Sequence, residues 1–228
     1  MMALSADNPA GPAPVRAVVF DFDGVIVDSV GVKTEAFVAL YAPHGEAVAE
    51  AVRAYHLAHG GMPRADKLRH WQSTLVDGPA DDATIAALGA RFGLMVREKV
   101  IACGEIAGAG AALAALAARL PLHVASATPE TELVGIIAAR GLTGRFRSIH
   151  GIPTTKAEAL RMRVAEGLAP DEILMIGDAT ADHAAAAAVG TRFLGVVPEG
   201  AKSPFPDGTD TVPDLTGLAE RVLGARTA

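Results

Sequence analysis

The sequence has a single cysteine, few aromatic residues and no long apolar run. The lone Cys103 excludes an intramolecular disulfide and fits a reducing compartment. No stretch approaches the roughly 18 uninterrupted apolar residues of a membrane-spanning helix. The start of the chain also lacks the basic and apolar regions of a secretory signal. We therefore expect a cytoplasmic protein without a membrane partner.

Positive charge is also in short supply. Among 228 residues there are 20 Lys and Arg against 26 Asp and Glu, which gives a formal net charge of −6. A general nucleic-acid binder presents a basic face, so we do not expect nucleic acid as a partner. An anionic small molecule is compatible with this balance, because the local charge of a cleft decides such binding.

The composition supports a substantial core. Hydrophobic residues make up 50% of the chain and aromatic residues only 4%, so the core is built mainly from Ala, Val, Leu and Ile. A chain of this length forms one large domain or a core domain with a smaller companion.

The pattern of predicted elements favours the second arrangement. Residues 1–14, rich in Pro, Gly and Ala, are predicted to be a flexible leader. Residues 30–104 show helical spacing without a convincing strand, whereas strands and helices alternate after residue 105. Such alternation is typical of a parallel sheet wrapped by helices. The sequence thus predicts a doubly wound α/β core, residues 15–29 and 105–228, with residues 30–104 inserted as a helical domain.

Two acids follow the first predicted strand, in the segment VVFDFDGVIVDS at residues 18–29. Asp21 and Asp23 end the apolar run, and Gly24 comes directly after them. Carboxylates this close together repel each other, and burial at a strand end adds a further cost. A divalent cation offsets both effects, so the pattern indicates a metal site with other ligands elsewhere in the chain.

Polar residues also follow the later strands, and ligands of open parallel sheets bind beyond the carboxyl ends of the strands. Ser126 ends one predicted strand, and Lys156 begins the helix after the next. Asp178 ends another strand, and Asp182 begins the helix behind it. Thr128 suits an N-cap of its following helix, which leaves Ser126 for a ligand. We expect these groups to converge with the acids of the first strand.

This combination is suited to phosphoryl transfer. A phosphate monoester is a dianion near neutral pH, so an attacking carboxylate needs its charge screened. Asp21 and Asp178 suit Mg²⁺, which binds a few carboxylates together with water and phosphate oxygens. Lys156, the Ser126 hydroxyl and the main-chain N–H of Ala127 suit the remaining phosphate oxygens.

The two acids of the first strand have separate predicted roles. Asp21 is placed to attack phosphorus and form an aspartyl-phosphate. Asp23 is placed to protonate the leaving oxygen and then to activate water. Gly24 allows the backbone to turn sharply beside the ligand.

The motifs DFDGVIVDS and GDATAD, with Ser126 and Lys156 between them, resemble those of the haloacid dehalogenase-like (HAD) hydrolase superfamily. The resemblance extends over about residues 15–197 and points to the capped phosphatase and β-phosphoglucomutase-like branch. It implies that the helical insertion is a mobile cap over a Rossmann-like core.

The same resemblance implies roles for individual residues. Asp21 corresponds to the nucleophile, Asp23 to the acid/base and Asp178 to a magnesium ligand. The main-chain carbonyl of Asp23 corresponds to a further metal ligand, with Asp182 in support. Dehalogenases and the phosphonate-cleaving branch lack the second acid, so Asp23 favours phosphate-ester chemistry.

The predicted cap contains the segment HGGMPRADKLRHW, residues 59–71. It resembles the substrate-specificity loop of capped family members, with Arg64 as a clamp for a second anionic group and Lys67 as a further cation. His59 is expected to hydrogen-bond a sugar or a carboxylate. His56 and His59 have the spacing of a metal pair, but no third ligand is evident, so we expect a surface or loop position for them.

We expect a Mg²⁺-dependent phosphatase acting on a small phosphorylated metabolite, either a sugar phosphate or a phosphoglycolate-like compound. Two alternatives stay open at this point. One is a phosphomutase of the β-phosphoglucomutase type, although Pro63 stands where those enzymes have serine. The other is a catalytically idle binding protein with the same fold.

Overall fold

A parallel sheet of six strands forms the centre of the protein, in the spatial order β3-β2-β1-β4-β5-β6. The computed structural model describes residues 13–224, so most of the predicted leader at residues 1–14 lies outside the described residues. Helices cover both faces of the sheet, which confirms the predicted doubly wound α/β class.

The strands are short, and each is followed by a helix or a loop at its carboxyl end. Their bounds are β1 Ala17–Phe20, β2 Leu122–Pro129, β3 Ser148–Ile152, β4 Ile173–Gly177, β5 Arg192–Val196 and β6 Thr211–Val212. The helices are α1 Val30–Tyr41, α2 Glu46–Ala58, α3 Arg64–Thr74, α4 Asp82–Ala102, α5 Ala109–Ala117, α6 Glu130–Ala139, α7 Lys156–Ala165, α8 Thr180–Val189 and α9 Leu218–Leu223.

Side chains of β1 alternate between two hydrophobic clusters, as the strand period of two requires. Val18 and Phe20 pack with α5 and α6 on one face, whereas Val19 packs with α7 and α8 on the other. Ala185 and Ala186 of the alanine run are buried in the second cluster. The small methyl side chains allow α8 to lie close to the sheet.

Helices α1–α4 are consecutive in the chain between β1 and α5, and we call residues 30–102 the helical block. Its helices agree with the periodic segments of the sequence. Phe37 stacks on Phe92 with ring centroids 3.9 Å apart, and Trp71 meets Phe37 edge-on at 4.9 Å. These contacts join α1, α3 and α4. The division into a core and an inserted domain stays a prediction.

Two elements were not expected from the sequence, and one strand is longer than expected. The two-residue strand β6 and the helix α9 are too short to leave a recognisable period. Strand β2 continues to Pro129, three residues past its predicted end at Ser126. Among the described residues, no helix has the length and apolar character needed to cross a membrane.

A buried polar cluster lies between β2, β3 and α7. The His123 ring contacts the Ser148 hydroxyl at 2.8 Å and the Arg163 guanidinium at 2.5 Å through its Nδ1 atom. Burial, with the Arg163 charge beside it, lowers the pKa of His123 to about 3. The folded protein therefore keeps this imidazole neutral across the physiological range.

This cluster predicts a loss of stability in acid. The unfolded chain binds a proton at His123 below about pH 6.5, whereas the folded protein does so only near pH 3, so the free energy of unfolding falls as the pH drops between these values. The contribution reaches at most about 1.4 kcal/mol per pH unit. The free energy of unfolding, measured by urea denaturation from about pH 7 to about pH 5, should depend less steeply on pH for His123→Gln than for the native protein. The exposed His44→Gln is the control, and equal slopes for all three proteins would contradict the expectation.

Candidate active site

The polar residues predicted at the strand ends come together at one edge of the sheet. Residues Asp21, Asp23, Ser126, Ala127, Thr128 and Asp178 all line a single cavity of about 440 Å³. Lys156 and Asp182 lie behind Asp21, where both are buried. The grouping follows from the parallel strands, whose carboxyl ends all point to this edge.

Lys156 joins two of the acids. Its Nζ atom donates to Asp21 Oδ2 at 2.7 Å and to Asp182 Oδ1 at 2.5 Å. Burial alone lowers the pKa of Lys156, but the two carboxylates outweigh it and the pKa is raised, so the amine stays charged. The other carboxylate oxygens accept main-chain N–H groups, from Phe22 to Asp21 at 2.6 Å and from Ala179 to Asp182 at 3.1 Å. Asp21 and Asp182 are thus held in fixed orientations.

Three carboxylates form the acidic centre of the site. Oxygens of Asp21, Asp178 and Asp182 all lie within 4.8 Å of one another, and within residues 13–224 no hydrogen bond reaches the Asp178 carboxylate. Burial and the neighbouring acids raise the pKa of Asp178 well above its usual value, and they raise that of Asp21 to about 7 despite Lys156. Three negative charges against one ammonium leave an excess that a divalent cation bound by oxygens matches.

Gly24 makes the close approach of Asp178 possible. It has φ +76°, and a Cβ atom placed on it would lie 2.2 Å from Asp178 Oδ2. Any other residue therefore combines an unfavourable backbone conformation with a clash against the carboxylate. The turn at Gly24, predicted to lie beside the ligand, lies beside the Asp178 carboxylate.

Asp23 lies in a separate network. Its Oδ1 accepts from Ser29 Oγ at 2.5 Å, and its Oδ2 accepts from Lys33 Nζ at 2.6 Å and Thr128 Oγ1 at 3.1 Å. Ser126 Oγ lies 3.5 Å from the same Oδ2. Burial works to raise the pKa of Asp23, but Lys33 and the hydroxyl donors outweigh it and lower the pKa. The two acids of the first strand therefore lie in opposite electrostatic surroundings.

An irregularity in β2 directs residues 126–128 toward the cavity. Ala125 pairs with His150 and Pro129 with Ile152, so three residues of β2 stand opposite one of β3. Such a bulge re-aims the side chains that it contains. Thr128 belongs to this bulge and contacts Asp23, so its predicted role as the cap of α6 is wrong; α6 follows Pro129 without a side-chain cap.

With this geometry in place, comparison with known proteins identifies the family. A family model described as haloacid dehalogenase-like hydrolase matches residues 15–190, most of the chain. The chain belongs to the HAD-like hydrolases. A search of curated proteins found no match to this hydrolase.

Solved structures share its fold at low sequence identity. A predicted phosphoglycolate phosphatase from Haemophilus somnus has a TM-score of 0.69 at 18% identity, and a magnesium-bound HAD-hydrolase, YfnB, from Bacillus subtilis has 0.68 at 19%. The L-2-haloacid dehalogenase from Xanthobacter autotrophicus has 0.63 at 20%. Each similarity covers 92% of this chain and 99% of the other.

The loop between α2 and α3 of this hydrolase rests on the sheet edge. A Cβ atom on Gly60 would lie 3.0 Å from the Ala179 Cβ, and one on Gly61 would lie 2.7 Å from the Ala181 Cβ. Lys156 Nζ is 3.6 Å from the same Gly61 position. The loop predicted to determine specificity therefore contacts the start of α8, and only residues without side chains allow this approach.

Arg64 is held by the protein itself. Its guanidinium donates to both carboxylate oxygens of Glu132 on α6, at 2.8 and 3.0 Å, and to the Gly89 carbonyl at 2.9 Å. It also lies 4.4 Å above the Phe92 ring. A second anionic group bound by Arg64, as predicted, has to compete with Glu132.

The remaining residues predicted in the helical block separate into two surroundings. The His59 ring stacks on the Tyr55 ring, and its Nδ1 atom lies 2.9 Å from the Tyr55 carbonyl oxygen. His59 is not among the residues that line the cavity. Lys67 and His56 do line the cavity, with Lys67 Nζ 2.8 Å from His56 Nδ1. The expected surface position of His56 is wrong, because packing against Phe37 buries it.

Lys33 is the functional candidate that sequence reasoning missed. It belongs to α1 and reaches Asp23 and Thr128 at the end of the sheet. On sequence it is one charged residue on a helix, and that pattern indicates a solvated face. The only available signal is its position in the first turn of α1, close to the DFDG segment.

The acid cluster predicts a metal-dependent stability. Mg²⁺ should raise the melting temperature of the native protein but not that of Asp178→Asn, because the amide is a poor ligand for a hard cation. In the presence of chelator, Asp178→Asn should be more stable than the native protein by at least about 1 kcal/mol, because a neutral side chain removes the repulsion. Thermal denaturation with Mg²⁺ and with chelator measures both effects.

Asp171→Asn is the matched control for this experiment, since Asp171 is exposed and lies away from the cluster. It should respond to Mg²⁺ as the native protein does. An equal Mg²⁺ response in Asp178→Asn would show that the cluster is not the metal site.

The pair of Arg64 and Glu132 predicts a strong dependence of stability on both partners. Each side chain is at least 85% buried, so Glu132→Gln leaves a desolvated guanidinium and should lower the free energy of unfolding by about 3 kcal/mol. The double variant Arg64→Leu/Glu132→Leu should recover most of that loss. Urea denaturation measures both, and Glu35→Gln, which breaks an exposed pair with Arg53, should leave the midpoint unchanged. A single variant as stable as the native protein would contradict the expectation.

Proposed function

We propose that this hydrolase is a Mg²⁺-dependent phosphatase that removes phosphate from a small phosphorylated metabolite through an aspartyl-phosphate. One observation carries the proposal. Asp21 accepts a hydrogen bond from the charged Lys156 and lies within 4.8 Å of two further acids, while another acid, Asp23, lines the same cavity in a separate hydrogen-bond network. A nucleophile and an acid/base with independent surroundings are what a two-step hydrolysis requires.

Asp21 is the proposed nucleophile. Lys156 and the Phe22 N–H each hold one of its oxygens, so the carboxylate enters the reaction with its orientation already determined. Mg²⁺ bound at the acids would screen their charge and that of the phosphate. Lys156, the Ser126 hydroxyl and the Ala127 N–H are the proposed partners of the phosphoryl oxygens, on which charge accumulates in the transition state.

Asp23 is the proposed acid/base. It protonates the leaving oxygen in the first step and takes a proton from water in the second. The Lys33 ammonium and the Thr128 hydroxyl hold it as a carboxylate, which is the form that activates water. To protonate the leaving group, Asp23 first has to take up a proton from water, and this requires the bond from Lys33 to Asp23 Oδ2 to lengthen when the ester is bound.

The helical block is the proposed cap. Its residues form one wall of the cavity, and the loop at Gly60 and Gly61 closes on α8. Closure excludes bulk water from the reacting atoms and brings specificity residues to the substrate. A cavity of about 440 Å³ suits a small metabolite, such as a sugar phosphate or a phosphoglycolate-like compound.

Related structures support this assignment without deciding the substrate. The Haemophilus somnus protein is described as a predicted phosphoglycolate phosphatase, and the Bacillus subtilis structure contains magnesium. The dehalogenase has the same fold, so the fold alone does not select the reaction. The second acid, Asp23, is the residue that favours phosphate esters. A cytoplasmic location, as expected from the single cysteine, suits an enzyme of metabolites.

Phosphate release from a panel of phosphorylated metabolites tests the proposal. We expect release to require Mg²⁺ and to stop with chelator. Asp21→Asn should lose at least about 10³-fold in rate, because the amide does not attack phosphorus. Asp171→Asn, on the exposed surface, should retain the native rate.

The other outcomes separate the alternatives. Isomerised product without free phosphate would identify a phosphomutase, which returns the same phosphoryl group to its substrate. Ligand binding without any turnover, and with equal affinity in Asp21→Asn, would identify an idle binding protein. Release that continues in Asp21→Asn would overturn the proposed nucleophile.

A further inference from the structure

Lys67 is a buried amine whose charge no carboxylate balances. Its residue is only 3% exposed, and within residues 13–224 it forms no ion pair with an acid. Its Nζ atom donates to Nδ1 of His56, a ring that is also buried. An ammonium group has no acceptor, so the His56 proton lies on Nε2 and the ring is neutral.

The surroundings of Lys67 make its charge expensive. Burial and the nearby Lys33 ammonium lower the pKa of Lys67 to about 8, so the amine is still mostly protonated at neutral pH. Burial, together with the Lys67 and Lys33 ammonium groups, lowers the pKa of His56 to about 3, which keeps the imidazole uncharged. The protein therefore holds a desolvated positive charge beside a neutral acceptor, an arrangement that costs stability unless an anion joins it.

The position of Lys67 places such an anion in the substrate cavity. Lys67 lies on α3 and lines the same cavity as Asp21 and Asp23, so an anion bound to it shares the cavity with the transferred phosphate. Two other cations that line the cavity are already paired, Lys33 with Asp23 and Arg64 with Glu132. Lys202 also lines the cavity, but it is exposed, so water solvates its charge. Among the described cations that line the cavity, Lys67 is the buried one without an acidic partner.

We propose that the substrates of this hydrolase are phosphate esters that also carry a carboxylate, and that the Lys67 ammonium, supported by His56, binds that carboxylate. The inference rests on the proposed phosphatase function and names its substrate class. A carboxylate fits better than a second phosphate, because it brings one negative charge to one ammonium. Lys67 thus has the role that the sequence predicted for Arg64, which is to bind a second anionic group of the substrate.

Binding of two unreactive analogues tests the inference without turnover. 3-Phosphonopropionate carries a carboxylate, and propylphosphonate has a methyl group in its place. Calorimetric titration in Mg²⁺ should show the native protein binding the first about 30-fold more tightly, a factor within the range measured for close charge pairs. Lys67→Met should reduce this ratio to about one.

Arg69→Met is the matched control, because it removes a positive charge from the same helix outside the cavity. It should keep the native ratio. Equal affinities of the native protein for the two analogues would overturn the inference, even if Lys67→Met fails to fold. An unchanged ratio in a folded Lys67→Met would overturn it as well.

Phosphate release from the panel of phosphorylated metabolites, with and without a carboxylate, separates this inference from the proposed function. Phosphate release together with equal affinities for the two analogues supports the phosphatase function and overturns the carboxylate site. No release together with a Lys67-dependent preference overturns the phosphatase and supports a site for phosphorylated carboxylates.

Discussion

Repulsion among carboxylates at one edge of the sheet is the constraint on which the rest of this structure depends. The parallel strands deliver Asp21 and Asp178 to the same place, and Asp182 follows on the next helix. Lys156 compensates for only part of this charge, although it reaches two of the acids at once. The missing Cβ atom of Gly24 leaves the space that the Asp178 carboxylate occupies in this cluster. Such a cluster is tolerable in a folded protein when a cation completes it.

The helical block introduces the opposite charge into the same cavity. Lys33, Arg64 and Lys67 all belong to it, so an acidic floor faces a basic wall. Each of these cations is balanced differently. Lys33 is paired with Asp23, the proposed acid/base, Arg64 is paired with Glu132 on α6, and Lys67 has only a neutral histidine. The first two contacts join the helical block to the sheet edge and to α6, and in our proposal the third leaves a charge for the substrate.

Family membership and specificity therefore reside in different parts of the molecule. The strand ends contain the residues proposed to bind phosphate, and related structures at about 20% identity share the fold over nearly their whole length. They include a dehalogenase and a predicted phosphatase, so the sheet alone does not select a reaction. In the proposed function, the charges of the helical block select the substrate, and the strand ends carry out the reaction.

The sequence by itself determined the fold class, the helices α1–α8 and the set of polar residues at the strand ends, because periodicity and strand-end position are properties of consecutive residues. Tertiary structure alone decided which charges are paired. Lys33 meets Asp23, and Arg64 meets Glu132, a residue 68 positions away in the chain. Such contacts depend on how helices cross and on the rotamers that packing selects, and no local pattern encodes either. Arg64 was therefore expected to be free and His56 to be exposed, whereas packing paired the first and buried the second.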